Sequence, residues 1–584
     1  MPELFSPQVY PAVSELIRQI DDYLRTRHPT FFSEGAIHPF LPVKRSKVIH
    51  DNLWGTNKFS WRELVLMDSP ILQRLASIHQ TGLANQIYPS ANHTRFEHSL
   101  GVTVVASRVF DALAQRHRAR MTEIAKAAAP GVEPSTTLAR LRQELRLAAL
   151  FHDTGHSLLS HSSEEVFQHL DLVKNATAEL ASFVGKKKGA GESIALAMTL
   201  CPCVQRLLER ARQKLLGDDA AGDDQVEIDM ANVALIIVGR SKHPYLQFLG
   251  DIISSGFDAD KLDYLLRDAT AAGLPLRYDF ERYLYAAQLE RCVLADGEGE
   301  LERLYATVGT KNTVRHDAGQ GQPFPHYETY RLRLPAKAMN TIEQMVICKL
   351  MLFSYIYHHP KVRAAEGTLV RLLNYLVAKW RNAGESDGNI LHRFLDMTDS
   401  TLQNEVFLGS DDPHVRDTSY RLINRLLPRE VYRLNGAVAS DLEMAILKDF
   451  LTNLQDKSKG AEIVSQLEHK IGEEMRSLDP TLGATPQEVL QRTAVRVDVP
   501  KPPKFEDVDE LLVGQAEGAP PVTLMQVFPI GQWTHAYTHF RYFVRIFAYS
   551  EYTDKVEVAA RRAMKAIIKI ESEVFYSKIL RKRT

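Results

Sequence analysis

Ala148-Ala149-Leu150-Phe151-His152-Asp153-Thr154-Gly155-His156-Ser157-Leu158-Leu159-Ser160-His161 decides how this chain is read. Its apolar first half carries the segment into a core. The polar second half then sits where a solvated surface is out of reach. Burying polar groups without partners costs roughly 2–7 kcal/mol each. A metal ion is the simplest partner that satisfies all of them. Glu144–Phe151 is expected to be the helix that delivers His152 and Asp153, and Ser162–Leu172 is expected to resume helix.

Moving upstream, Thr94 opens a helix carrying Arg95, Phe96, Glu97 and His98, continued by the apolar face of Leu100, Val104, Val105 and Phe110. Before it, Gln80–Asn92 has loop chemistry, and Leu64–His79 reads as one helix from the spacing of Leu66, Ile71, Leu72 and Leu75. Lys47–Asp51 with Trp54-Gly55 reads as an extended entry to the core, and Val13–Arg25 as a short helix. Moving downstream, Lys186-Lys187-Lys188-Gly189-Ala190-Gly191 reads as a solvated basic turn. Gly217–Asp224 reads as an acidic linker without EF-hand spacing. Asp258–Asp268, taken as helix, puts Asp260, Tyr264 and Arg267/Asp268 on one face by i, i+4, i+7/i+8 spacing, with Lys261 beside them. Leu262, Leu265 and Leu266 form the opposite, core face.

Residues 280–335 suggest a small β-hairpin, and Ala338–Ile356 an amphipathic helix carrying Lys349 and leading to Tyr357-His358. Residues 365–395 continue helical. Lys457–Gly460 reads as a turn and Pro500–Lys504 as a Pro-rich connector. Tyr537–Tyr549 alternates like a strand, and Lys555–Leu580 is a last helix. The expected fold is mainly α, a helical bundle with extra helices and a small β-containing C-terminal region. The expected divisions are 1–44, 45–365, 366–499 and 500–584.

The 584 residues are 45% hydrophobic and 24% charged, with a formal net charge of -1. That balance is ordinary for a soluble globular protein and gives no global attraction to nucleic acid or anionic membrane. No apolar run approaches the ~18 residues of a membrane span. Four cysteines without zinc-ribbon spacing read as reduced thiols, so a cytoplasmic location is expected.

His98, His152, Asp153 and Asp260 together offer two imidazoles and two carboxylates. That set suits a first-row divalent ion with water completing the shell, with Mn, Mg, Fe, Ni and Zn all allowed. Such an ion lowers the pKa of a bound water or polarises a phosphoryl oxygen. Arg95 and Lys261 are fixed cations beside the ligands and suit a polyphosphate. His156 and His161 lie downstream, placed to orient water or bind phosphate.

These residues resemble the H…HD…D pattern of the HD-domain phosphohydrolase superfamily. The blocks Arg95-Phe96-Glu97-His98-Ser99-Leu100-Gly101-Val102, His152-Asp153-Thr154-Gly155-His156 with Ser160-His161, and Asp258–Asp268 look like the deoxynucleoside triphosphate (dNTP) triphosphohydrolases. That group includes the bacterial dNTPases and the vertebrate SAM-and-HD-domain enzyme, and the resemblance runs over residues 45–365. It implies that His98, His152, Asp153 and Asp260 hold the metal, and that Arg95, Lys261 and Lys349 hold the triphosphate. It also implies that His156 and His161 face the α-phosphate and the attacking water. Tyr264 and Asp268 would bind the deoxyribose, Gln80 would close over the 3′-hydroxyl, and Tyr357 with His358 would border the base. The implied reaction is water attack at the α-phosphorus of a dNTP, giving deoxynucleoside and triphosphate. The implied assembly is a homo-oligomer (dimer, tetramer or hexamer), with room for a nucleotide activator.

One departure stands out. The family carries a His-Glu pair after the HD block, whose His is proposed to protonate the leaving oxygen. Here Gly191-Glu192 occupies that place, so Glu192 alone joins His156 and His161 as a catalytic candidate. General acid catalysis contributes about 10²–10⁴-fold. Two alternatives therefore stay open: an HD-type nuclease or nucleotide phosphodiesterase, and a nucleotide-sensing oligomeric binding protein with weak catalysis.

Overall fold

Thr94 and Glu97 start the central helix by a reciprocal capping box: Thr94 N donates to Glu97 Oε2 (2.8 Å) and Glu97 N to Thr94 Oγ1 (3.4 Å). The helix, Arg95–Arg116, is buried over most of its surface, including His98, Ser99 and Gly101. Pro134–Phe151 packs along it, and Ala259–Ala271 crosses it. Asp258 caps Ala259–Ala271 by accepting from Lys261 N at 2.9 Å. Pro134–Phe151 ends where Thr154 N turns back to Phe151 O (3.0 Å), so His152 and Asp153 emerge at a helix end inside the core.

The computed structural model describes most of residues 4–568. Outside the description lie 1–3, 34–43, 217–226, 296–299, most of 308–325, 403–407, 435–449, 451–452, 455–456, most of 501–543 and 569–584. Buried apolar side chains fall into two cores. The larger runs from Phe5 to Leu422, and the smaller from Tyr432 to Ile568. An antiparallel hairpin, Ser46–Asp51 with Gly55–Ser60, lies at the edge of the larger core. A three-stranded sheet, Gln288–Ala295, His326–Arg333 and Arg315–His316, joins it. In the smaller core, Val544–Ala548 runs antiparallel between Arg429–Leu434 and Arg496–Asp498. The fold is thus mainly α with small antiparallel sheets, as the sequence predicts. No helix among the described residues is long and apolar enough to cross a membrane.

Several local expectations are corrected. Leu64–His79 is not one helix. Trp61–Met67 stops before Pro70, Pro70–Gln73 makes one turn, and Arg74–Ser77 tightens to 3₁₀. Ser162–Leu172 is also split, into His161–Phe167 and Asp171–Val184. Leu301–Ala306 is helical within Glu300–Thr307, and Lys457–Gly460 opens helix Lys457–Leu478 instead of forming a turn. The helix leading to Tyr357 is regular over Met339–Leu352 and widens to a π turn over Phe353–Tyr357. Val544–Ala548 is buried on both faces, so its apolar run, not alternation, marks the strand. The acidic stretch 217–224, the connector 501–504, most of Tyr537–Val544 and the chain beyond 568 lie outside the described residues. The break expected at 365/366 falls within helix Pro360–Asn382.

Candidate active site

Three helix ends deliver four ligand-type side chains to one point. His98 Nε2 stands 3.0 Å from Asp260 Oδ1 and 3.7 Å from Asp153 Oδ2. His152 Nε2 stands 3.5 Å from Asp153 Oδ1 and 3.9 Å from Asp260 Oδ1. Both Nε2 atoms are buried and hydrogen-bond to no group among the described residues. The opposite ring nitrogens are held, His152 Nδ1 by Ala149 O (2.7 Å) and His98 Nδ1 by Asp263 Oδ2 (2.7 Å). Two imidazole nitrogens and two carboxylates thus converge on one point, a donor set that suits a divalent cation with O/N preference. The ligand-type atoms of His98, His152 and Asp153 all lie within 4.8 Å of one another. Carboxylates surround His98 closely: although burial opposes it, Asp260 and Asp263 push its imidazole up to about 10 when no cation is bound.

Asp153 is held by Arg95, whose Nη1 donates to Asp153 Oδ2. Burial alone would raise Asp153, but Arg95 and the neighbouring imidazoles keep it well below the usual carboxylate range. Arg95 Nε donates to Ser160 Oγ (3.0 Å), and its Nη2 is buried with no hydrogen-bond partner among the described residues. The loop from Asp153 to His161 is over-determined. Arg74 donates to His156 O (2.6 Å) and Thr154 O (2.7 Å), and Asp399 accepts from Leu159 N (2.6 Å) and His79 N (2.7 Å). This pinning supports two consecutive left-handed residues, Leu159 (φ 50°) and Ser160 (φ 60°), a conformation costing of order 1–3 kcal/mol each.

A second cluster lies one turn away. His156 Nδ1 is 3.5 Å and His161 Nδ1 3.3 Å from Glu164 Oε2. Burial, with Arg95 adding to it, lowers His156 to about 3. Glu164 is held well below the carboxylate range, because His161, His156 and the Gly191 N–H outweigh its burial. Sequence reading missed Glu164; its i+3 spacing from His161 was the available signal. The same cluster explains Gly191. A Cβ there would stand 3.2 Å from His156 Cε1, and Gly191 O presses so close to Gly155 that a Cβ on Gly155 would meet it at 1.9 Å. Glu192 lies on the cavity wall, but its carboxylate caps its own helix at Gly189 N (2.8 Å) and binds Lys188 Nζ (3.2 Å).

The cavity above these groups has a volume of about 890 Å³. Its walls carry Gln80, Arg95, Lys261, Tyr264, Asp268, Tyr357 and His358, all expected substrate residues. Lys349 is not brought there; it is buried in Met339–Leu352, away from the cavity wall. Gln80 Oε1 is buried with no hydrogen-bond partner among the described residues. Asp268 accepts from Tyr357 Oη and lies 2.8 Å from His93 Nε2. Lys261 Nζ is anchored by Asp258 Oδ2 (2.7 Å) and Ser255 O (2.8 Å). Lys186–Lys188 line the cavity and are not merely a solvated turn; Lys188 is buried and bonded to Ser254 Oγ. Arg496, from the smaller core, also reaches this wall.

Residues 95–218 match the family profile of the HD domain. The chain is 26% identical over 325 residues to an uncharacterized protein of Methanocaldococcus jannaschii, covering 56% of this chain and 49% of that one. It is 24% identical over 437 residues to the deoxynucleoside triphosphate triphosphohydrolase SAMHD1 of Xenopus laevis, covering 70% and 62%. The chain thus spans about half to three-fifths of the length of these curated relatives. The crystal structure of a hypothetical protein from Aquifex aeolicus shares the fold, with a TM-score of 0.51 at 19% identity over 88% of this chain and 99% of that one. His98, His152 and Asp153 all fall inside the segment that is similar to the HD domain.

Proposed function

We propose that this chain is a dNTP triphosphohydrolase that attacks the α-phosphorus with water, breaks the bond to the 5′-oxygen and releases deoxynucleoside and triphosphate. The observation that carries the reading is one cavity whose wall brings His152, Asp153 and Asp260 together with the cations Arg95 and Lys261 and the polar side chains Tyr264, Asp268 and Tyr357. His98, His152, Asp153 and Asp260 would hold the divalent cation, which when bound supplies Lewis acidity and a more acidic water. Arg95 Nη2 and Lys261 Nζ bind phosphate oxygens. His156, whose Nδ1 faces the Glu164 carboxylate and whose Nε2 faces Asp153, borders the α-phosphate beside the cation site. His161, oriented by Glu164, takes the proton-donor place that a His at 191 would fill and protonates the leaving 5′-oxygen. Asp268, held between His93 and Tyr357, accepts the 3′-hydroxyl, with Gln80 closing over it and Tyr264 packing on the sugar. Tyr357 and His358 border the base.

The test is incubation of the purified chain with each dNTP and Mn²⁺ or Mg²⁺. Inorganic triphosphate with deoxynucleoside is the expected product pair. Cleavage of an oligonucleotide instead would transfer the site to a nuclease or phosphodiesterase. Thermal stabilisation by a dNTP without turnover would make it a sensor. Chromatography of the same material reads the expected homo-oligomer, and a dNTP added in excess reads an activator.

A further inference from the structure

Asp263 is not on the cavity wall, yet it accepts four hydrogen bonds in a fully buried position. His98 Nδ1 lies 2.7 Å from Oδ2, and Arg267 Nε donates to the same oxygen at 2.7 Å. Arg267 Nη2 (2.9 Å) and Trp54 Nε1 (2.5 Å) donate to Oδ1. Arg267 Nη2 also reaches Asp51 Oδ2 (2.9 Å). The other oxygen of Asp51 accepts from Leu53 N and Trp54 N, both at 2.8 Å, and so folds the turn that presents the indole. Gly101 leaves the room: a Cβ there would stand 2.0 Å from Asp263 Oδ1 and 2.3 Å from Arg267 Nη2. A carboxylate surrounded by Arg267 and an indole N–H can only accept, so His98 Nδ1 must carry a proton, which leaves Nε2 as the nitrogen whose lone pair a cation would take.

We infer that Asp263, braced by Arg267, Asp51 and Trp54, is the positioning residue that fixes the tautomer and tilt of His98, making the hairpin 46–60 part of the cation site although it lies outside the matched HD segment. The inference rests on the metal reading of His98. Carboxylate partners of this kind typically change metal affinity 10–100-fold when removed. Asp263→Asn preserves size but reverses the polarity: its amide donates to His98 Nδ1 and moves the ring proton to Nε2, where the cation would sit. Trp54→Phe keeps the ring and deletes one donor.

The experiment titrates Mn²⁺ alone into the full-length apo chain by calorimetry, with melting temperatures of each apo protein and ¹⁵N-histidine spectra for the His98 tautomer. Expected are a loss of Mn²⁺ affinity of about 10–100-fold in Asp263→Asn, a smaller loss of several-fold in Trp54→Phe, and an Nε2-protonated His98 in the former. Wild-type Mn²⁺ affinity in a folded Asp263→Asn, or, should that variant not fold, in Trp54→Phe with an unmoved tautomer, would overturn the inference. Asp153→Ala separates the two readings. If it binds Mn²⁺ as wild type does, the metal reading itself fails. If it alone loses Mn²⁺, only the role of Asp263 fails.

Discussion

Asp153 faces His98, His152, His156 and Arg95 at once, so its removal strips a ligand and strands a buried guanidinium. Asp153→Ala should abolish Mn²⁺ binding and dNTP turnover together; metal content by atomic absorption with a triphosphate assay checks both. Asp268 has a different task, and its two neighbours can be tested separately. Hydrogen bonds to charged groups contribute about 1.5–3 kcal/mol, so His93→Ala should raise the KM for dNTP by roughly 10–100-fold while leaving Mn²⁺ affinity unchanged. An equal loss of both would mean that His93 serves the floor of the site, not the sugar. At this scale the sequence was most legible where residues of one chemistry repeat at short spacing, as in His152-Asp153 or Asp260-Lys261-Tyr264. It was least legible for Glu164, Asp263 and His93, because a buried acid or imidazole that supports another side chain carries no local pattern.

Helix termini were legible through their caps, Thr94 with Glu97 and Asp258 with Lys261 N, whereas the split at Pro70 was hidden by an apolar period that continues across it. That split matters because the 3₁₀ turn Arg74–Ser77 presents Arg74 to the carbonyls of Thr154 and His156. Arg74→Ala should therefore loosen the 154–161 loop and lower kcat with little change in Mn²⁺ affinity, read by hydrogen exchange of the loop amides. Helix Pro134–Phe151 carries a second testable feature. Glu144, fully buried, accepts from Asn232 Nδ2 (2.7 Å) and Asp229 N (3.0 Å), yet desolvation raises it from 4.5 to about 7. The folded state thus binds this proton more tightly than the unfolded state. Its contribution is fully present below about pH 4.5 and is lost as pH rises through 7, roughly 3 kcal/mol across the window. Buried His243, lowered to about 4 by desolvation, acts with opposite sign, losing stability as pH falls from 6.5. Comparing melting temperatures of wild type and Glu144→Gln between pH 4.5 and 8 isolates the first effect: the variant, which mimics the protonated acid, should lack the decline. Parallel curves would remove Glu144 from the account.

The two hydrophobic cores give the whole molecule its second level of organisation, and ion pairs cross their junction. Arg363 on helix Pro360–Asn382 binds Asp498 (2.7 Å) and Glu366 (3.1 Å), while Arg496 Nη1 donates to Arg363 O (3.3 Å) and covers Gly367. Two cores linked by such ion pairs unfold separately more readily than one continuous core. Calorimetry should accordingly show two transitions, the lower one shifted by Arg363→Ala; a single transition unaffected by that change would contradict the division. The fold class was legible from composition and helical periodicity, but this junction was not, since residues 363 and 498 meet only in three dimensions. Arg496 gives the junction a further meaning. Its guanidinium belongs to the smaller core yet forms part of the enclosure around the larger core's chemistry. Anything that pries the two bodies apart, whether heat, truncation or a wedge of bulk at Gly367, would withdraw that guanidinium from the wall without touching the ligand set.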